Sequence, residues 1–196
     1  MYNSYNNALK QKSLSEIFPE IFKDSKQLGA LGDTKIIGIN AYRKTKKIEV
    51  FLASDVLIPA NVIAGAEKKF SYSFNVNPIE FKLRYNLSMP LKDILTEYWD
   101  SIVYILNRKV AASRGFLEGS KWSLEDKKLI VELNKTGKDI LVSLGCDRII
   151  EDFLLQGFGH KLRVEFKDSK MDENQINEYF MFKEQEEEKA SSKIAA

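Results

Sequence analysis

The apolar positions of residues 14–88 predict a small unit of mixed helix and strand. A helical stripe comes first, and Pro19 inside it predicts a kink or two short helices. The segment "GALGD" (29–33) is expected to break this helix. Residues 35–43 and 46–53 are then rich in β-branched and aromatic residues, and "KTK" between them predicts the turn of a β-hairpin.

The rest of this unit is predicted to be one helix and one strand. The helix begins at Pro59 and continues through "PANVIAGAEKKF". The sequence does not decide where this helix ends, because apolar and polar residues alternate in the following "SYSFNVN", a pattern that also suits an extended chain. Residues 78–86 predict a strand whose apolar face carries Ile79, Phe81, Leu83 and Tyr85.

The second half opens with a long amphipathic helix from Pro90, whose apolar period lasts about four turns. A shorter helix is predicted at 110–119, stopped by Gly119, and "KWSL" with "KLIVEL" (128–133) predicts a second hairpin. Thr136 and Asp139 have the spacing of a helix capping box. The helix after them is expected to be split at Gly145, and residues 161–167 predict the last strand. The apolar stripe of that helix contains Ile140, Leu141, Leu144, Ile149, Ile150, Phe153 and Leu154.

The order of elements is α-β-β-α-β followed by α-α-β-β-α-β, which predicts an α+β fold made of two small sandwich-like units. We expect a disordered N-terminus at 1–13, a first unit at 14–88 and a second at 89–169. Residues 170–196 are predicted to be a charged helix or linker.

Charge and composition narrow the function classes. The net charge is +2; residues 171–196 hold seven acidic and three basic side chains, a net of −4, which leaves +6 for the preceding 170 residues. This is a mildly basic body with an acidic tail. The single cysteine, and the lack of a signal peptide or an apolar run of membrane-spanning length, predict a cytoplasmic protein without a membrane partner.

Motifs for catalysis or metal binding are scarce. The sequence contains one histidine and one cysteine, and it lacks the Walker A pattern. Cys146 lies among apolar helix positions and is interpreted as a core residue. "QGFGHKLRVEF" (156–166) follows a helix and precedes a strand, so Gly157 or Gly159 is expected to end the helix with positive φ and His160 to be an exposed turn residue. We therefore predict no catalytic, metal or cofactor site and no small-molecule substrate; a stand-alone enzyme is the least favoured hypothesis.

Basic residues suggest a possible nucleic-acid surface. Tyr42 stands beside the cations of the first hairpin turn, an arrangement that suits stacking and phosphate contacts. The second hairpin repeats the pattern more weakly around Trp122. The candidate nucleic-acid-binding residues are Arg43, Lys44, Lys46, Lys47, Lys121, Lys127 and Lys128.

The order of several segments resembles the N-terminal region of PolC-type DNA polymerase III alpha subunits, over about residues 14–185. The segments are "INAYRKTKKIEVFLASDVLIP", "LTEYWDSIVYIL", and "KKLIVEL" followed by a helix and "QGFGHKLRVEF". The resemblance implies that the polymerase and exonuclease centres of the parent, with their Mg²⁺, lie elsewhere. It implies a non-catalytic role in DNA replication for this chain.

The second unit also resembles the C-terminal domain of the clamp-loader tau subunit, through Trp99, Ile102 and Leu106 and through the Gly159–Leu162–Val164 strand. That resemblance implies a KH-like fold without the Gly-x-x-Gly loop. The "GALG" at 29–32, in the first unit, matches that loop in letters but not in context, because it leads into a strand instead of joining two helices. The leading hypothesis is a replisome-docking module that binds tau or another replication protein, with Phe116 and Leu117 as candidate exposed contacts. The alternative is a DNA-binding module that uses the hairpin at 43–47.

Overall fold

The computed structural model describes residues 12–23, 28–76 and 78–168 of the chain. Its first unit consists of three short helices, a hairpin, a longer helix and a third strand. These elements are α1 (Leu14–Ile17), α2 (Pro19–Phe22), α3 (Gly29–Gly32), β1 (Lys35–Tyr42), β2 (Lys47–Ser54), α4 (Ala60–Phe74) and β3 (Ile79–Tyr85).

The N-terminal helices follow from local sequence. Ser13 and Glu16 form a capping box at the start of α1, and Pro19 separates α1 from α2 as predicted. The expectation that 29–33 only breaks the helix is wrong, because residues 29–32 form the single turn α3. Leu31 of this turn is fully buried, and the ring of Phe22 lies close to Gly32, so tertiary packing stabilises a helical turn despite its glycines.

The first sheet has the order β1-β2-β3, with β1 antiparallel to β2 and β2 parallel to β3. Helix α4 is the crossover between the parallel strands. It continues through most of "SYSFNVN" and ends at Asn75, which has a left-handed conformation. Phe74 in the last turn packs its ring against Phe18 and Phe70, which holds this end of the helix on the first unit.

The second unit has the same strand topology. It contains α5 (Leu91–Lys109), β4 (Lys121–Glu125), β5 (Lys128–Leu133), α6 (Lys138–Ser143), α7 (Cys146–Phe158) and β6 (Arg163–Asp168). The sheet order is β4-β5-β6; β4 is antiparallel to β5, and β5 is parallel to β6. The predicted α+β class with two sheets is therefore confirmed.

The helix predicted at 110–119 is not present. Only residues Ala111–Ser113 form a 3₁₀ turn, and the following chain bends at Gly115 and Gly119, whose φ angles are +82° and +67°. Such angles are incompatible with a continuing helix. The bends allow Leu117 to enter the core, where its side chain is 2% exposed.

The capping box predicted from Thr136 and Asp139 is also wrong. Gly137 is the N-cap of α6, and no side chain near it in sequence caps the helix. Instead, Asp168 Oδ1 at the end of β6 accepts hydrogen bonds from the backbone N–H groups of Gly137 (2.8 Å) and Lys138 (2.9 Å). A cap supplied from thirty residues away in the chain cannot be recognised from sequence spacing.

Helices α6 and α7 are separated at Gly145, whose φ is +69°, as predicted. The break changes which residues are buried: Leu141, Ile150 and Leu154 enter the core, but Ile140 and Leu144 remain exposed. Two of the apolar residues named for this helix, Ile140 and Leu144, therefore lie outside the core.

Helix α7 ends at Gly159, with φ +72°, and the N–H of His160 donates to the carbonyl of Leu154. Glycine at this position allows the helix to end in the left-handed conformation, as predicted. His160 is half-buried, so the expectation of an exposed turn residue is wrong.

Two clusters of buried side chains form the interior, one around α4 and the first sheet, the other around α5, α7 and the second sheet. Leu83 of β3 packs against both clusters, and Tyr85 of β3 belongs to the second. The boundary predicted near residue 88 remains a prediction, but β3 connects the two interiors. No helix among the described residues combines the length and apolar character needed to cross a bilayer.

Candidate protein-docking cleft at the seam between the two units

The two units meet at a hydrogen-bonded pair of buried tyrosines. The hydroxyl oxygens of Tyr85 (β3) and Tyr98 (α5) are 2.8 Å apart, and that of Tyr98 donates to the carbonyl of Ile58 at 2.6 Å. The Tyr85 hydroxyl also lies 3.3 Å from this carbonyl. Burial raises the pKa of Tyr98 to about 12, and burial together with the neighbouring Tyr98 raises the pKa of Tyr85 further. Both hydroxyls therefore stay protonated and remain hydrogen-bond donors.

Two phenylalanines of α7 pack on these tyrosines. Phe158 stacks on Tyr85 with a ring-centroid distance of 4.7 Å, and Phe153 lies parallel to Tyr98 at 6.2 Å. Aromatic pairs of this geometry add about 0.5–1.5 kcal/mol beyond the burial of their surface. The cluster thus joins β3 of the first unit to α5 and α7 of the second.

A buried carboxylate reinforces the same seam. Glu67 of α4 accepts a hydrogen bond from the backbone N–H of Phe81 (2.9 Å) through Oε1 and one from Arg108 of α5 (3.0 Å) through Oε2. One carboxylate therefore satisfies a backbone N–H on the outer edge of β3 and, at the same time, forms an ion pair with the second unit. The second unit has a matching contact, in which Glu151 of α7 accepts from the N–H of Val164 on β6 (2.8 Å).

An open cleft of about 1260 Å³ lies along this seam. Its walls come from α4, β3 and the C-terminal parts of α5 and α7. Apolar side chains such as Ile63, Phe51 and Leu155 line part of the surface, and charged side chains of both signs line the rest.

The positive charges of the cleft exceed the negative ones. Its cationic side chains are Lys68, Lys82, Arg84, Arg108 and Lys109, and its acidic ones are Glu67, Glu80 and Asp152. Lys82 pairs with Glu80 (2.8 Å) and Arg108 pairs with Glu67 (3.0 Å). Lys68, Arg84 and Lys109 form no ion pair with any residue that the structure describes.

The charged form of Lys109 is disfavoured by its surroundings, first by desolvation and then by a neighbouring cation, although the residue as a whole is exposed. Desolvation of its ammonium group, followed by the positive charge of Lys82, lowers the pKa of Lys109. The carboxylates of Glu80 and Asp152 oppose this effect without overcoming it. A ligand carboxylate placed beside Lys109 would therefore gain a favourable charge interaction in a partly desolvated position.

The first hairpin retains three of its four predicted cations on the surface. Arg43, Lys44 and Lys46 are exposed at the turn, where Lys46 has a φ of +52°. Lys47 instead forms ion pairs with Glu49 (3.0 Å) and Glu80 (2.9 Å). The hydroxyl of Tyr42 donates to Glu49 at 3.0 Å, although its side chain remains 44% exposed.

The cations predicted on the second hairpin do not form one cluster. Lys127 and Lys128 lie at the turn between β4 and β5, whereas Lys121 begins β4, about 13 Å away along the strand. Lys128 Nζ is 3.5 Å from Glu165 Oε2. Lys121 and Lys127 are exposed.

The candidate contacts Phe116 and Leu117 do not have the predicted exposure. Leu117 is buried, and Phe116 is half-buried with its ring against Gly137. Sequence could not reveal this, because the bends at Gly115 and Gly119 turn both side chains inward. Large apolar side chains that are exposed include Tyr72, at 91%, and Leu155 in the wall of the cleft, at 46%.

The cysteine considered for catalysis lies in the core. Cys146 is fully buried, and burial followed by the nearby Asp147 raises the pKa of its thiol, which disfavours the nucleophilic thiolate. Within residues 12–23, 28–76 and 78–168, no group of three or more His, Cys, Asp or Glu side chains could hold a metal ion.

Residues 97–196 match the model of a protein family described as DNA polymerase III polC-type N-terminus II. The chain belongs to this family. It is an N-terminal, non-catalytic region of a PolC-type DNA polymerase III, and the resemblance to that polymerase is confirmed. No curated protein matches the chain at a significant level. The KH-like and tau resemblances remain predictions. The linker predicted at 170–196 also remains a prediction: it lies outside the described residues, although the family match includes it.

The ion pairs of Lys47 generate a prediction about pH. Hydrogen bonds from Lys47 and Tyr42 lower the pKa of Glu49; for Glu80, burial opposes ionisation, but hydrogen bonds from Lys82 and Lys47 outweigh it and lower the pKa. Carboxylates with lowered pKa values stabilise the fold at neutral pH and lose this effect as the pH falls through those values. Hydrogen bonds to Glu80 and Glu49 raise the pKa of Lys47, so its charge is retained throughout this range.

We therefore expect Lys47→Ala to lower the urea midpoint more at about pH 7 than at an acidic pH below the lowered pKa values of both carboxylates, where the ion pairs are already lost. Unfolding curves at a series of pH values would measure the difference. Lys44→Ala, on the exposed turn, is the matched control and should show no such dependence. An equal loss at both pH values would contradict the role of these ion pairs.

Proposed function

We propose that this region of the PolC-type polymerase is a replisome protein-docking module and that the seam cleft is its docking surface. The observation that carries the proposal is an open cleft that exists only where the two units meet and that contains uncompensated positive charge. The cleft is large enough to receive several side chains of a partner segment.

The lining of the cleft specifies the chemistry of that segment. Apolar positions such as Ile63 and Leu155 suit one or two large apolar anchors, and Lys68, Arg84 and Lys109 suit acidic residues beside them. Buried anchors provide most of the affinity at an interface, whereas charges at the rim determine the association rate and specificity. The partner segment is thus acidic and carries apolar side chains.

The backbone of β3 supports recognition through side chains. Addition of a partner strand requires free N–H and C=O groups along a sheet edge. Along β3, Ser71 Oγ accepts from the N–H of Ile79 (3.2 Å), and Glu67 accepts from that of Phe81. Helix α7 approaches the carbonyl of Leu83 at Gly157. This edge is therefore occupied, which favours a segment bound by its side chains.

Clamp-loader tau is the first partner to test, together with other replication proteins. In a pull-down at low salt, we expect the intact chain to retain a partner, and the double variant Arg84→Glu/Lys109→Glu to bind it at least about tenfold more weakly, because two attractive charges become repulsive. Lys92→Glu is the control, since Lys92 of α5 is exposed and does not line the cleft. Failure to retain any replisome protein, or equal binding by the cleft variant, would overturn the proposal.

DNA binding by the first hairpin is the second candidate function. The protruding turn favours it, because Arg43, Lys44 and Lys46 are exposed and an exposed tyrosine stands beside them. Cations of this kind bind phosphates without sequence preference and release counterions. The second hairpin contributes less, since Lys128 lies near Glu165.

If the hairpin binds DNA, the binding constant K falls as salt concentration rises. Lys44→Ala/Lys46→Ala should make the slope of log K against log salt concentration shallower by about 2, one for each lost phosphate contact. Fluorescence anisotropy with a labelled duplex would measure the slope. Lys47→Ala is the matched control, with a smaller expected change because Lys47 is already paired with two carboxylates. Absent or salt-independent binding would reject this function.

A further inference from the structure

Helix α6 carries apolar side chains that the described residues cover only in part. Ile140 is 47% exposed, Leu144 at the helix end is 38% exposed, and these two residues are four positions apart on one face. Val142, on the other flank of the buried Leu141, is 46% exposed. Three partly exposed apolar groups on a six-residue helix form a patch suited to contact with a further segment.

The described chain leaves the fold beside this surface. Asp168, its last described residue, accepts hydrogen bonds from the first backbone N–H groups of α6. The continuing chain therefore starts at one end of the exposed face. Helix α6 is about 9 Å long, and eight further residues can span up to about 27 Å when extended, so residue 176 can reach any part of it.

The sequence after Asp168 contains large apolar residues that could pack on the exposed side chains of α6. Ile176, Tyr179 and Phe180 have the spacing i, i+3, i+4, and Met181 and Phe182 follow. These are the large apolar residues of an otherwise acidic stretch. The family match runs through residues 169–196 together with α6, α7 and the second sheet, so this segment belongs to the same family unit.

The charge around α6 agrees with an acidic occupant. Lys135 and Lys138 are exposed near the start of the helix and form no ion pair within the described part of the chain. Asp172, Glu173 and Glu178 flank the apolar residues of the segment. Apart from charge, Asp147 Oδ1, three residues after Leu144, is buried and has no hydrogen-bond partner among the described residues, so it calls for a hydroxyl or N–H donor and not for a carboxylate.

We propose that residues 176–182 of this chain dock on the exposed face of α6, with Ile176, Tyr179 and Phe180 against Ile140 and Leu144. The segment is then a structural part of the second unit and not a free linker. This inference does not depend on the replisome role, since it concerns a surface away from the seam cleft.

A disulfide-trapping experiment on the full chain tests the contact. Leu144→Cys/Phe180→Cys should form an intrachain disulfide at least about tenfold faster than Leu144→Cys/Ser192→Cys, because docking raises the effective concentration of the first pair. Native Cys146 can remain, since it is buried and burial raises the pKa of its thiol. Mass mapping after oxidation identifies the pair.

Equal rates for the two pairs would overturn the proposal, and a disulfide between two chains would overturn it in favour of a second copy on this face. Hydrogen exchange provides an independent measurement. Tyr179→Ser/Phe180→Ser should accelerate exchange in residues 138–144 several-fold and leave residues 129–133 of β5 unchanged. No change in residues 138–144 would also overturn the proposal.

Discussion

The hydrogen-bonded pair of Tyr85 and Tyr98 on the Ile58 carbonyl is the interaction on which the arrangement of the two units depends. The carbonyl belongs to the segment that leads from β2 into α4, so a single acceptor is bound by a strand of one unit and a helix of the other. A substitution that removed these donors would leave the buried carbonyl without a partner, at a cost of about 1–3 kcal/mol. Separation of the units is opposed by the exposure of the stacked rings of Tyr85 with Phe158 and of Tyr98 with Phe153. The cleft is a consequence, because its walls are fixed only while the seam is closed.

The two units repeat one design with a single important difference. Each has an antiparallel hairpin followed by a parallel strand, and each uses a glutamate of the crossover helix to bind a backbone N–H of that strand. In the first unit the crossover helix is continuous, whereas in the second it is broken at Gly145. The break creates the short helix α6 and exposes its apolar side chains. Both units thus contribute to the cleft, and the second provides an additional surface.

Elements with a sustained apolar period were predictable from the sequence. Helix α5, both hairpins and β3 were found because each presents a buried face at regular spacing. The errors occurred where distant parts of the chain decide the local conformation. Residues 29–32 form a turn because Leu31 is buried, and α6 begins where Asp168 caps it. Phe116 and Leu117 turn inward because of two glycines with positive φ.

The candidate site was less predictable than the fold. The cations of the first hairpin were visible as a local cluster, but the pairing of Lys47 with Glu80 joins residues from different strands. The cleft brings together Lys68, Arg84 and Lys109, which come from three elements and have no common motif. The family was recognisable because the order of its segments along the chain is independent of such contacts.

We infer that the seam makes the two units one cooperative body. Native-state hydrogen exchange with increasing urea tests this directly, by comparing the opening free energies of β2 in the first sheet and β5 in the second. We predict that both strands exchange through one opening of equal free energy and that Tyr98→Phe lowers this free energy for both together. Exchange of β2 at a much lower free energy than β5, unaffected by Tyr98→Phe, would show that the units are independent.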